Sequence, residues 1–144
     1  MSKQPAVVGP AGYGPVMDIK LELVFVPVTD VDRAKAFHVD QVGFHTDFDQ
    51  VVNDELRFVQ LTPSGSACSI AFGQGIAEGE PGSVKGLQAV VDDADAIRAE
   101  LAGRGVEVSE VDEQAWGRFV YFSDPDGNRW ALQQLPDYAA NAGS

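Results

Sequence analysis

The sequence is poor in cysteine, since Cys68 is the single one among 144 residues. One thiol cannot form an intrachain disulfide, and it cannot supply a multi-cysteine metal site. Cys68 lies in the apolar stretch 67–72 with no base beside it, whereas a catalytic thiol requires a nearby base and some exposure. We therefore expect Cys68 to be a small buried residue.

Basic residues are few, and long apolar runs are missing. Ten Lys and Arg residues stand against 22 Asp and Glu residues, which gives a net charge of −12. The basic residues form no cluster of the kind that binds phosphates, so we expect no nucleic-acid partner. No apolar stretch is long enough to span a bilayer. Residues 1–16 lack the basic region and apolar run of a secretory signal, and we expect a cytoplasmic protein without a membrane partner.

What the chain does contain is an order of elements that occurs twice. The first copy has an apolar β-branched strand, then a helix that begins after Thr29 or Asp30 and stops at Gly43, then three short strands. The predicted strands of this copy are Ile19–Val28, Phe44–Val52, Leu56–Thr62 and Ala67–Gly73.

The second copy repeats that order. Asp92, Asp93 and Asp95 stand at the start of its helix, where the helix dipole favours acidic side chains. Gly103 and Gly105 end the helix. The predicted strands of this copy are Gly86–Val91, Val106–Val111, Gly117–Ser123 and Arg129–Leu135.

The repeat predicts a single α+β domain over residues 17–136. It consists of two βαβββ modules, residues 17–73 and 84–136, joined by a linker over residues 74–83. We expect the eight strands to form a cupped mixed sheet with the helices on its outer face. Residues 1–16, rich in Gly and Pro, are predicted to be a flexible N-terminal segment, and residues 137–144 a tail.

Three stretches of this double pattern resemble the vicinal-oxygen-chelate superfamily, which includes glyoxalases, bleomycin resistance proteins and extradiol dioxygenases. The resemblance extends from about Asp18 to Pro136, and its most specific part is an Asp-Pro-Asp-Gly-Asn turn between two strands near the end of the chain. It implies the cupped fold and a homodimer whose chains complete each other's cups. The three stretches are Val28–His38 with Val42–Phe44, Leu87–Asp93, and Phe122–Gln133.

The metal ligands of that superfamily do not carry over to this chain. The resemblance implies four ligand positions, one on each of four strands, where metal-using members have His or Glu. Counted from the matching motifs, none of these positions holds a strong ligand, so we expect neither a metal nor another cofactor. The positions are Leu23, Ser69 or Ala71, Gly86 and Ala131.

Other potential ligands are weak. Glu22 neighbours Leu23, but strand alternation directs it to the opposite face unless a bulge turns it inward. His38 and His45 are seven residues apart, with a helix terminus between them. Two histidines without a third ligand make a weak metal site, and we expect structural or surface roles for both.

Alternation along the strands predicts which side chains line the cup. Small residues leave space there, aromatic residues offer flat surfaces, and glutamines offer neutral donors and acceptors. This mixture suits a planar, largely uncharged organic molecule. The amides of Gln88 and Gln133 need a partner, because a buried unpaired amide costs ~1–3 kcal/mol. The predicted ligand-binding residues are Leu23, Phe25, Phe58, Gln60, Ser69, Gly86, Gln88, Trp116, Tyr121, Ala131 and Gln133.

Three functions fit these features. The first is a metal-free protein that binds a small apolar or aromatic molecule, as drug-binding resistance proteins of the superfamily do. The second is a metal-independent isomerase, lyase or cyclase of a biosynthetic pathway, for which His38, Glu22 and Tyr121 are weak catalytic candidates. The third is a metal-dependent lyase or dioxygenase with displaced ligands. The missing ligands favour the first function.

Overall fold

The computed structural model describes residues 17–137. The predicted flexible N-terminal segment, residues 1–16, and residues 138–144 of the predicted tail lie outside this range. Neither helix in the described part of the chain is long and apolar enough to cross a membrane.

The first module forms a four-stranded mixed sheet in the order β1-β4-β3-β2. β1 runs parallel to β4, and the other neighbours are antiparallel. Asp30 caps helix α1, because its carboxylate accepts a hydrogen bond from the Arg33 backbone N–H at 3.1 Å. A π-helical turn over Phe37–Gln41 continues α1. The elements are β1 (Leu23–Phe25), α1 (Val31–Ala36), β2 (His45–Asn53), β3 (Leu56–Thr62) and β4 (Ser69–Gln74).

The second module repeats the arrangement in the order β5-β8-β7-β6. Asp93 caps helix α2 by accepting a hydrogen bond from the Ala96 backbone N–H at 3.0 Å. The elements are β5 (Leu87–Val91), α2 (Ala94–Gly103), β6 (Asp112–Gln114), β7 (Gly117–Ser123) and β8 (Arg129–Gln134). The predicted α+β fold of two βαβββ modules with eight strands is therefore confirmed, with the strands hydrogen-bonded as two sheets of four.

Two predicted strands differ from those observed. The strand predicted over Ile19–Val28 is reduced to Leu23–Phe25, since β4 begins only at Ser69 and offers no earlier partner. The strand predicted over Val106–Val111 lies instead at Asp112–Gln114. Before that point, the Ser109 hydroxyl accepts from the Tyr121 N–H at 2.9 Å, so a side chain replaces part of the backbone ladder.

The core lies on the helix-facing sides of both sheets, and these sides also meet each other. The ring of Phe44 in the first module contacts Trp130 in the second at a centroid distance of 5.4 Å. Phe37 contacts Phe122 at 6.0 Å. Because these contacts lie on the helix-facing sides, the opposite side of each sheet is left uncovered by them. We call these opposite sides the first and second open faces.

The Asp-Pro-Asp-Gly-Asn turn fastens the two modules together. The buried amide of Asn128 donates to the Pro27 carbonyl in the first module at 2.9 Å and to Asp124 at 2.8 Å. Its carbonyl oxygen accepts from the Val84 N–H at 3.1 Å. Gly127 has φ of +98°, a backbone conformation that favours glycine. The motif that carries the sequence resemblance therefore has a structural role between the modules.

Candidate ligand-binding site

The first open face has small residues at its centre and larger ones around them. Leu23 and Phe25 of β1 lie in register with Ser69 and Ala71 of β4, and Gln60 of β3 lies opposite Ala71. Ser69 is 5% exposed and Ala71 is fully buried, whereas Phe25 is 47% exposed. The small pair therefore forms a floor beside an accessible aromatic ring. Phe58 shares this face with Gln60, as alternation predicted.

A chain of hydroxyl groups crosses this floor. The Ser69 and Thr62 hydroxyl oxygens are 2.6 Å apart. The Thr62 hydroxyl in turn donates to the Asp47 carboxylate. Asp47 reaches this position because β2 has a bulge between Thr46 and Phe48. Strand alternation alone does not identify a bulge, so this contact of Asp47 was not predicted from the sequence.

The second open face carries the remaining predicted ligand-binding residues. Gln88 of β5 lies opposite Ala131 of β8, which lies opposite Tyr121 of β7. Val90 occupies the next position of β5 on the same face and is 61% exposed. Gly86 directly precedes β5 and is exposed.

A chain of amide groups runs along this face. The Gln88 amide nitrogen donates to the Gln133 side-chain oxygen at 2.9 Å. The Gln133 amide nitrogen donates to the Trp116 backbone carbonyl at 2.8 Å. The partners that these glutamines require are thus found within the protein. The second bond also holds the backbone at Trp116, whose side chain is 59% exposed in the turn between β6 and β7.

Tyr121 makes three contacts on the second open face. Its hydroxyl donates to the Asp112 carboxylate at 2.9 Å. The Arg129 guanidinium lies 4.6 Å from its ring centroid, and the Phe119 ring is stacked at 6.1 Å. Burial and, secondly, the hydrogen bond to Asp112 raise the pKa of Tyr121 above its ordinary value. Its phenol therefore stays protonated at neutral pH and acts as a hydrogen-bond donor to Asp112.

The strand register relates the predicted ligand positions of the two modules to each other. The N-cap residues Asp30 and Asp93 occupy equivalent positions in the two modules. By the same offset along the sequence, Phe25 of the first module corresponds to Gln88 of the second. Phe25 pairs with Ala71, and Gln88 pairs with Ala131. Ala71, not Ser69, is therefore the counterpart of Ala131.

None of the four positions carries a metal-binding side chain. They are Leu23, Ala71, Gly86 and Ala131, which have only hydrocarbon side chains or none. Among residues 17–137, no three His, Cys, Asp or Glu side chains stand close enough to hold an ion.

His38, one of the three catalytic candidates, lies on neither open face. It is fully buried on the helix-facing side, against the rings of Phe72 and Trp130. Its Nδ1 is 2.7 Å from the Ala34 carbonyl, and its Nε2 has no hydrogen-bond partner. Burial lowers the pKa of His38, so the ring is neutral and a structural role is indicated.

Two other expectations change. Glu22 is exposed outside β1, where its backbone carbonyl accepts from the Ser69 N–H at 2.7 Å. Of the three catalytic candidates, Tyr121 is thus the one on an open face. Cys68 is half-buried rather than a core residue, because it precedes β4 instead of lying within it.

Asp49 of β2 belongs to an ion-pair network. The hydrogen bond from Arg57, followed by that from Lys35, lowers the pKa of Asp49 to about 2. Arg57 also binds Asp32 of α1 at 2.8 Å. Asp49 is therefore part of a link between the first sheet and its helix, on the side away from the first open face.

The chain matches known proteins over most of its length. The sequence model of the Glyoxalase/Bleomycin resistance protein/Dioxygenase superfamily matches residues 20–132. TnmS3 of Streptomyces sp. CB03234, described as an antibiotic binding protein, is 38% identical, with a TM-score of 0.76 over 85% of this chain and 100% of TnmS3. A glyoxalase/bleomycin resistance protein of the same Streptomyces strain is 40% identical, with a TM-score of 0.71 over 80% of this chain and 100% of its own. The uncharacterized protein YetH of Bacillus subtilis is 26% identical over 113 residues, 77% of this chain and 94% of YetH.

Proposed function

Because the chain belongs to the glyoxalase/bleomycin resistance protein/dioxygenase superfamily, we propose that it binds a small, largely apolar or aromatic molecule on its open faces. The binding serves sequestration or resistance and requires neither a metal ion nor another cofactor. The similarity to TnmS3, described as an antibiotic binding protein, supports this assignment.

The observation that carries the proposal is the exposure of large apolar side chains on the open faces. Phe25 is 47%, Trp116 59% and Val90 61% exposed. Exposed apolar surface on a sheet face can mark a site for a ligand or partner, because leaving it in water is unfavourable. The amides and hydroxyls between these side chains offer a few placed polar groups, the composition typical of small-molecule sites.

We further propose that two copies of the chain complete the site. Within one chain the modules meet through their helix-facing sides, at Phe37, Phe44, Phe122 and Trp130. Each open face is then half of a cup. A second copy that places its second open face over the first open face of its partner encloses a ligand and covers the exposed apolar residues.

Ligand binding is tested by thermal-shift measurements with planar bicyclic aromatics, beginning with 2,6-dihydroxynaphthalene. We expect the melting temperature to rise with ligand concentration, since a ligand that binds only the folded state stabilises it. Trp116→Ala removes an exposed ring from the second open face and is expected to weaken binding about tenfold or more. Val51→Ala is the control, because Val51 is also an exposed apolar residue but pairs with Arg57 on the other side of the first sheet.

The metal-free part of the proposal is tested by elemental analysis of protein purified without a histidine tag. The protein is measured before and after incubation with zinc, nickel, iron and manganese. We expect far less than one ion per chain, because Leu23, Ala71, Gly86 and Ala131 cannot coordinate metal. Near-stoichiometric metal would overturn this part and favour a lyase or dioxygenase with displaced ligands.

A second candidate function is a metal-independent isomerase, lyase or cyclase. The Tyr121 phenol beside the Asp112 carboxylate favours it, because such a pair can exchange a proton with a bound molecule. The two functions differ in the fate of the ligand. Recovery of a tightly bound compound unchanged after long incubation supports sequestration, and its conversion supports the enzyme.

A further inference from the structure

We propose that the open faces select ligands that donate hydrogen bonds, such as phenols or aryl amines, over ligands of the same shape that only accept them. The inference rests on the proposed function, because it concerns the molecule bound at the same site. It follows from three hydrogen-bond chains under the open faces, each of which has a fixed direction.

The first chain ends at a carboxylate. An ionised carboxylate accepts hydrogen bonds and cannot donate them, so the Thr62 hydroxyl donates its proton to Asp47. The Thr62 oxygen, 2.6 Å from the Ser69 oxygen, must then accept the proton of Ser69. Ser69 has thereby used its one proton, and its oxygen offers a ligand an acceptor only.

The second chain has the same direction. The Tyr121 hydroxyl donates to Asp112 at 2.9 Å, which uses the one proton of the phenol. The Tyr121 oxygen therefore presents lone pairs to a ligand on the second open face. Two residues on different faces thus offer acceptors for the same chemical reason, a carboxylate at the far end of the chain.

The third chain is fixed by a backbone carbonyl. Because the Trp116 carbonyl can only accept, the Gln133 side chain must direct its nitrogen to it, at 2.8 Å. The Gln133 oxygen is then the atom that faces Gln88, and Gln88 must donate its nitrogen there, at 2.9 Å. This arrangement presents the Gln88 side-chain oxygen, on an exposed residue, as a further acceptor, although the second N–H of the same amide is not used by this bond.

The positive charge of Arg129 on this face favours the same ligands, while its N–H groups can donate to either kind of ligand. Its guanidinium lies over the Tyr121 ring, 4.6 Å from the centroid. A phenol that donates its proton in a hydrogen bond gains negative charge on its oxygen. A nearby cation stabilises that charge, so Arg129 strengthens the binding of an acidic hydroxyl.

The test compares two probes of one shape, 2,6-dihydroxynaphthalene and 2,6-dimethoxynaphthalene. Both present a naphthalene ring with two oxygens, but only the first can donate hydrogen bonds. Titration calorimetry of the full chain is expected to give at least about tenfold tighter binding of the dihydroxy compound.

Variants show whether the preference between the probes comes from the direction of the hydrogen-bond chains or from the different size of the probes. Tyr121→Phe keeps the ring but removes an acceptor. The affinity for the dihydroxy probe is therefore expected to fall, while the affinity for the dimethoxy probe stays unchanged. Valine is close to threonine in volume but has no hydroxyl to accept the Ser69 proton. In Thr62→Val this proton can therefore point outward, and the dimethoxy probe is expected to bind more tightly. Thr46→Val is the matched control, because Thr46 pairs with Leu61, whose side chain lies in the core.

Each outcome has one meaning. Preference for the dihydroxy probe that shrinks in both Tyr121→Phe and Thr62→Val, but not in Thr46→Val, supports the inference. Equal affinities of the two probes overturn it while leaving aromatic binding intact. If neither probe binds, the aromatic-binding proposal itself fails for bicyclic ligands, and the inference fails with it. If the preference persists unchanged in both open-face variants, probe size explains it and the inference is wrong.

Discussion

At the scale of single residues, the neighbours of a side chain decided its role more than its type did. The structure packs His38 among Phe37, Phe44, Phe72 and Trp130. A histidine can be recognised in the sequence as a possible ligand or base, but burial by residues distant in sequence cannot. The sequence therefore favoured a structural role for His38 without being able to locate it.

The burial of His38 predicts acid sensitivity. Burial holds its pKa in the folded state below the ordinary value of a histidine, so the unfolded state binds the proton first as pH falls. The stability that the neutral ring contributes is present above about pH 6.5 and decreases below it. We expect the free energy of unfolding, measured in urea, to fall between pH 7.5 and pH 5.

His38→Phe identifies the source of that fall. Phenylalanine fits an aromatic cluster but does not titrate, so the variant should lose part of the pH dependence whatever its stability at pH 7.5. His45→Phe is the matched control, because His45 is exposed. An identical pH dependence in wild type and His38→Phe would contradict the account of His38.

At the scale of elements, strands and helices were predictable where the signal was local. Asp30 and Asp93 cap their helices, as acidic residues at helix starts predict. The strand expected over Val106–Val111 was wrong, because its pattern of valines reflects packing against the core, where Val106 is buried. The Ser109 side chain then replaces one of the backbone hydrogen bonds to β7, and this depends on a residue twelve positions away.

The ligand-binding site was likewise predictable where the signal was local and not where it depended on residues distant in sequence. Alternation placed Phe25, Gln60 and Gln133 on open faces correctly, since the period of a strand is local. It could not find the Asp47–Thr62–Ser69 chain, because a bulge in β2 turns Asp47 toward Thr62. Which glutamine bonds to which group likewise depends on the register between strands.

The turn that joins the modules gives a prediction at this scale. Asn128→Ala removes donors to Pro27 and Asp124 and an acceptor for Val84, and leaves buried groups unpaired. We expect the free energy of unfolding to drop by ~2–4 kcal/mol. Asn53→Ala, at the exposed end of β2 where the side chain accepts one bond from the Glu55 N–H, is the control and should cost ~1 kcal/mol or less. Equal losses in the two variants, measured by urea unfolding, would show that Asn128 does not fasten the modules.

At the scale of the whole molecule, the arrangement of modules explains why one chain has open faces at all. The helix-facing sides supply the shared core, and the sequence repeat predicted both modules. It could not predict that the modules would meet through those sides, because the aromatic contacts between them, such as Phe44 with Trp130, join residues far apart in the chain. The placement of the ligand-binding faces follows from that contact.

The central claim, a small molecule held between open faces of two copies, is tested most directly by complementation. Phe25→Asp places a charge on the first open face and Trp116→Asp on the second, both at exposed positions. Each variant alone is expected to bind 2,6-dihydroxynaphthalene hardly at all. The two variants are mixed, unfolded in urea and refolded together before the number of binding sites is measured by calorimetry.

When equal amounts of the two variants pair at random, half of the refolded dimers contain one copy of each variant. Each of these mixed dimers has one cup made of two unmodified faces. The account predicts that binding returns to about one quarter of the wild-type number of sites, with wild-type affinity. A dimeric mixture that binds no better than the separate variants would contradict it, as would full binding by either variant alone.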